Sequence, residues 1–222
     1  MRFHFLLPEG VDDPRRPSGG NVYDRRLVTE LTAAGWHLSE RAVTAATLPD
    51  VLSVLPDGAP VLVDGLVAST TDALVAECGR LRVVVLLHMP HAGPHETEVL
   101  GAAAAVVAVS DWVRGVVVEE HGVPPERVHV ARPGVDADRP ATGSAGGRNL
   151  LCVGPVTRAK GYDVLLRALA GVRDLAWHCR CVGALDLEPP LVDELYEVAR
   201  RQGIADRVAF SGPLSREGLE TL

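Results

Sequence analysis

His88-Met-Pro-His91-Ala-Gly-Pro-His95 sets three imidazoles within eight residues, directly after the apolar run VVVLL. Three imidazoles this close could hold zinc, with Glu96 or Glu98 completing the set. The two prolines and the glycine argue against a helical register that would aim the rings at one point, and no cysteine stands nearby. We therefore assign no metal. His88 falls where a strand would end, so contact with a ligand or movement of a proton is the other chemistry open to it, beside a purely structural imidazole.

Two glycine-bearing stretches could receive an anion. Ser18-Gly19-Gly20-Asn21 opens a segment whose apolar positions Val22, Leu27, Val28 and Leu31 suit a helix. Free backbone N–H groups and the helix dipole favour an anion there, and paired glycines let a phosphate or sugar approach closely. The same residues also make a plain N-cap behind a flexible loop. Gly154-Pro-Val-Thr-Arg-Ala-Lys160-Gly161 follows another apolar run. Arg158 offers paired donors and Lys160 a point charge, a combination that clamps a diphosphate, or else two solvated charges on a loop. The first of these stretches is neither a Gly-x-Gly-x-x-Gly fingerprint nor a P-loop, and no cofactor is expected.

Other residues read more simply. Ser110-Asp111 looks like a helix N-cap. Asp64, in VLVDG, ends a strand and serves a pocket or a turn. Cys179 and Cys181 alternate along one strand and so share a face, as core thiols do. No Gly-x-Ser-x-Gly elbow is present, which disfavours an α/β-hydrolase.

The elements that must position these residues alternate along the chain. Strands are expected at 2–7, 61–64, 83–88, 105–110, 128–132, 149–154, 177–183 and 208–212. Helices are expected at 23–34, 70–80, 112–121, 162–172 and 191–202. Runs such as VVVLL and AVVAV are apolar on both faces, as parallel strands covered by helices are. The sum is a doubly wound α/β architecture, whose ligands bind at the carboxyl ends of the strands. Residues 41–55 place no second strand. The stretch DADRPATGSAGGR breaks the apolar period and reads as a linker. The expected division is a Rossmann-like domain at 1–138, a linker at 139–148 and a partial second domain at 149–222.

Composition bounds the partners. The 222 residues carry 22 Lys and Arg against 29 Asp and Glu, a net charge of −7, which disfavours a nucleic-acid binder. No apolar run approaches the roughly 20 residues of a membrane-spanning helix, and MRFHFLLPEGVDD reads as a first strand rather than a signal peptide. The four cysteines suit reduced thiols of a cytoplasmic protein. Arg25 and Arg26 are too few for more than weak, occasional contact with anionic lipid.

Taken in order, SGG with the helix ending in LTAAGW, VVVLLH, AVVAVSDWV, VHVARPGVD, NLLCVGPVTRAKGYDVLLRAL and RVAFSGPL resemble the retaining glycosyltransferases of family 4. The resemblance covers most of the chain. It implies the GT-B fold of these group 1 enzymes, with the acceptor held mostly by the first Rossmann-like domain and the nucleotide-sugar donor by the second. It implies transfer of a sugar from a nucleotide-diphosphate sugar to an acceptor (a sugar, a lipid-linked or a small molecule) with retention, in glycan biosynthesis. It puts Gly19 and Gly20 near the donor phosphate, His88 at the sugar as the catalytic candidate, and Arg158 and Lys160 at the diphosphate. Gly183, Gly212 and Leu214 fall on the donor side.

Two departures accompany the match. Pro155 stands where the family often has an Arg, and the family's downstream motif of two glutamates separated by seven residues is missing. The expectation is an incomplete second domain, fragile after about residue 148, and an inactive 222-residue chain. A GT-B sugar-nucleotide epimerase and a non-catalytic sugar- or nucleotide-binding remnant are the alternatives.

Overall fold

In the computed structural model, residues 2–15, 17–91, 93–135 and 143–220 are described. Two compact units emerge: Met1–Val11 with Gly19–Asp136, and Asp12–Ser18 with Ala137–Leu222. Of the linker expected at 139–148, residues 139–142 lie outside the described residues; Ala145–Gly147 form a short 3-10 turn.

The first unit runs β1 (Arg2–Pro8), α1 (Gly19–Ala33), β2 (His37–Val43), α2 (Leu48–Ser53), β3 (Pro60–Asp64), α3 (Gly65–Ala68) and α4 (Ala73–Glu77). It continues with β4 (Arg82–Leu87), α5 (Glu96–Ala102), β5 (Ala105–Ala108), α6 (Asp111–Glu119) and β6 (Val128–Val130). All six strands are parallel, in the order β2-β1-β3-β4-β5-β6. The order reverses between β1 and β3, where a doubly wound sheet opens a crevice at its carboxyl edge.

Burial follows the two-residue period of the strands. Leu6, Val63, Val83, Val85 and Leu87 face one core with α2 to α6. Phe5, Leu7 and Leu86 face the other, against Tyr23, Leu27 and Val28 of α1. Ser110 caps α6 as its sequence suggests, accepting from the Val113 amide at 3.1 Å.

The structure differs from expectation in one strand and several short helices. The strand absent from the sequence reading is β2, whose HLSERAV is mostly polar because it is an edge strand with half-exposed faces. The helix expected at 70–80 is only the short α4, Ala73–Glu77, and the short helices α2, α3 and α5 stand where the sequence reading places none.

The second unit runs β7 (Asn149–Val153), α7 (Tyr162–Ala170), β8 (His178–Val182), α8 (Pro189–Arg201), β9 (Val208–Ser211) and α9 (Arg216–Glu220). Its three strands are parallel in that order. Tyr162, Leu166, Leu191 and Leu195 of the two long helices close over Cys179 and Cys181. Leu151 and Val153 on β7 are 47% and 58% exposed, so these apolar strand residues lie outside that core.

Candidate functional site

Around the reversal point of the larger sheet, four elements bring polar groups together. β3 ends on Asp64, whose Oδ1 accepts from the Leu66 amide at 2.6 Å and caps α3. Gly65 lets that turn lie against the end of β4, because a Cβ there would stand 2.7 Å from Leu87 Cδ1. With one oxygen committed to the cap, Asp64 presents Oδ2 to His88 Nε2 at 3.3 Å. The same Nε2 lies 2.9 Å from Asp24 Oδ1 of α1.

Asp24 is fully buried, Asp64 is 2% exposed, and Asp24 Oδ2 has no hydrogen-bond partner among the described residues. The Tyr23 ring meets the His88 ring edge-on, with centroids 5.1 Å apart. The Tyr23 hydroxyl donates to the Ala131 carbonyl at 3.1 Å. Gly20 completes the enclosure, since a Cβ there would lie 3.2 Å from His88 Cδ2 and 3.4 Å from Cγ.

The two carboxylates decide the charge of the ring. Burial by itself would lower the His88 pKa, but the hydrogen bonds and charges of Asp24 and Asp64 outweigh it and lift it to about 9. Burial holds the Asp24 carboxyl above the usual range; the His88 hydrogen bond opposes this and the nearby Asp64 charge adds to it. A charged imidazole at neutral pH is therefore built into the sheet edge. Among the described residues, Asp24, Asp64 and His88 are the group whose nitrogen and oxygen atoms converge within 4.8 Å of one another. The Nε2 that a cation would require is already shared by two carboxylates.

The other two histidines of the cluster stand apart from this group. The His91 amide donates to Glu96 Oε1 at 3.0 Å, and His95 Nδ1 lies 3.9 Å from Glu98. Glu96 is buried, with His121 Nε2 at 3.8 Å from its Oε2. Gly19 looks onto open space, unlike Gly20. Arg25 pairs with Glu40 of β2.

In the second unit the expected donor-side residues sit at the carboxyl edge of the smaller sheet. Each of its three strands is followed by a glycine: Gly154, Gly183 and Gly212. Gly183 is obligatory, because a Cβ there would fall 1.9 Å from the Gly154 carbonyl oxygen. The Gly154 carbonyl accepts from the Tyr162 hydroxyl at 2.6 Å, which fixes the turn. Gly212 has open space around it, and Leu214 is 37% exposed. Arg158 is committed to α8, donating to both carboxylate oxygens of Glu194 at 2.9 and 2.8 Å, with Glu188 at 3.7 Å from its Nε. Lys160 is exposed and, among the described residues, makes no ion pair.

Asp24 is the functional candidate that sequence reasoning missed. Its signal was present: Asp24, Leu27, Val28 and Leu31 fall at helical spacing on the inward stripe of α1. A carboxylate in an apolar stripe needs a buried partner.

Residues 65–139 match the sequence family Glycosyltransferase Family 4. A D-inositol 3-phosphate glycosyltransferase of Streptomyces scabiei is 33% identical over 145 residues, covering 56% of this chain and 32% of that protein. A mannosylfructose-phosphate synthase of Agrobacterium fabrum is 25% identical over 143 residues, again covering 56% of this chain and 32% of that protein. The matched part of the chain thus spans about a third of the length of these curated relatives.

Solved structures agree in fold. The lipopolysaccharide outer core galactosyltransferase WaaB, in its apo form, superposes with a TM-score of 0.64 at 13% identity, covering 98% of this chain and 69% of that one. The Anabaena protein Alr3699/HepE, solved with UDP and glucose, gives a TM-score of 0.63 at 18% identity, covering 97% and 70%. Both likenesses are in the GT-B fold. No described helix is long and apolar enough to cross a membrane.

Proposed function

We propose, for a chain that belongs with the group 1 glycosyltransferases of family 4, that it serves transfer of a sugar from a nucleotide-diphosphate sugar to an acceptor hydroxyl, with retention at the anomeric carbon. The observation that carries this reading is the His88 cluster, a cationic ring held at the carboxyl edge of the sheet inside the segment that matches the family.

A diphosphate leaving group is stabilised by positive charge and backbone donors rather than by a strong acid. Lys160 supplies an exposed cation beside β7. Gly212 keeps its strand end free of a side chain and open, so that a ligand can approach backbone there, while Gly183 lets the turn after β7 pack against the end of β8. Arg158 would have to exchange Glu194 for a phosphate before it contributes. His88 acts on the sugar as a hydrogen-bond donor through the ring nitrogen that the carboxylates leave unused. No enzymic nucleophile is assigned. We also read the protein as cytoplasmic, where four free thiols and nucleotide sugars both belong.

Titration calorimetry with UDP- and GDP-sugars tests the donor reading. Lys160→Ala should weaken binding by about 1–3 kcal/mol, the range for a charge-assisted hydrogen bond. Unchanged affinity for every donor that the wild type binds would remove Lys160 from the site. Retention is read from the anomeric proton of the product by NMR.

A further inference from the structure

We infer that Asp24 is a positioning residue: with Asp64 it holds the His88 ring by Nε2 and so leaves the Cε1–Nδ1 edge as the one that meets a ligand. The inference deepens the glycosyltransferase reading, on which the identity of that ligand rests. The ring geometry does not depend on it.

Three contacts define which edge is free. Nε2 lies between two carboxylate oxygens, at 2.9 Å from Asp24 and 3.3 Å from Asp64. The Cγ–Cδ2 side is closed by Gly20, where even a methyl group would be 3.2 to 3.4 Å away. Tyr23 packs edge-on against the ring. The His88 side chain nevertheless keeps 18% of its exposure. What remains is Cε1 and Nδ1, and in the charged ring Nδ1 carries a proton.

The two carboxylates are not equivalent. Asp64 is tied down by its cap on α3 and would hold its place without His88. Asp24 makes no comparable cap: its Oδ1 is spent on His88 and its Oδ2 has no partner among the described residues. A fully buried carboxylate with no other hydrogen bond among the described residues is costly, and serving the ring accounts for its retention in an apolar stripe. The titratable groups facing the ring are Asp24 and Tyr23 from α1 and Asp64 from the end of β3. A substrate hydroxyl or phosphate oxygen is the acceptor such a donor suits.

The experiment is an NMR titration of the His88 ring, by long-range proton–nitrogen correlation, in the 222-residue chain and in Asp24→Asn. Wild type should hold the charged ring until about pH 9. Asp24→Asn should lower proton affinity at least about tenfold, one pKa unit, while amide spectra stay native. An unchanged midpoint in a natively folded Asp24→Asn would overturn the inference, as would a wild-type midpoint at the ordinary histidine value. If Asp24→Asn fails to fold, Asp64→Asn decides: a ring still charged above its ordinary range shows Asp24 holding it, and a fall to the ordinary value refutes that. Failure to bind any sugar nucleotide would count against the glycosyltransferase reading alone.

Discussion

The two units prepare for a ligand in opposite ways. The first encloses its charge: His88 is gripped by buried carboxylates, and Gly20 and Gly65 exist to let ring and turn close up. The second leaves its charge outside: Lys160 is exposed, Arg158 rests on surface glutamates, and glycines end all three strands. A buried ion pair keeps its geometry and resists salt, whereas exposed cations move cheaply and exchange partners. The first unit suits fixed orientation of one group, and the second suits capture of a charged ligand by loops that adjust around it.

The largest effect that would break this comparison is expected in the second unit, where backbone meets backbone. Gly183→Ala puts a methyl group on the Gly154 carbonyl and should destabilise that unit by about 3 kcal/mol. Hydrogen exchange resolved by mass spectrometry should show faster exchange in β7 and β8 with β1 to β6 unaffected. Equal protection in mutant and wild type would mean that the turn relaxes freely.

The first unit should instead be marked by pH. The folded His88 value of about 9 lies above the 6.5 of an ordinary histidine, so its stabilisation is complete below about pH 6.5 and is lost as pH climbs through 9. The span corresponds to about 3 kcal/mol. Asp24, also raised, acts in the same direction on the acid side, losing stability as pH rises through its folded value. Urea unfolding across pH 6 to 10 should therefore show a falling midpoint in the first unit, and His88→Gln should flatten it. A midpoint that does not change with pH in wild type would show that the ring is neutral.

The smallest effect sharpens the contrast between the two neighbouring glycines. Gly20→Ala should change stability by no more than about 1 kcal/mol, because helix propensity gained offsets crowding, yet it should displace the His88 ring and lower its midpoint. Gly19→Ala, which faces open space, should leave that midpoint alone. Equal responses would mean that Gly20 does not contact the ring.

Sequence alone determined the layers of the fold. VVVLL and AVVAV announce buried parallel strands because a strand covered on both faces must be apolar throughout, whereas NLLCV marks a strand, β7, whose apolar residues are mostly exposed. It also pointed to His88, Gly20 and Lys160, since strand ends and glycine-bearing loops are legible as such, while Gly183 entered only through the family resemblance. It did not show β2, because a polar edge strand has neither an apolar run nor strict alternation. It did not pair Arg158 with Glu194, thirty-six residues on, nor divide the work between Gly19 and Gly20. Above all, only tertiary structure joined Asp24, Asp64 and His88. They stand on α1, at the end of β3 and just after β4, and no local spacing relates them. The crossovers that reverse strand order between β1 and β3 bring them within hydrogen-bonding distance, and the loss of water there makes their charges interdependent.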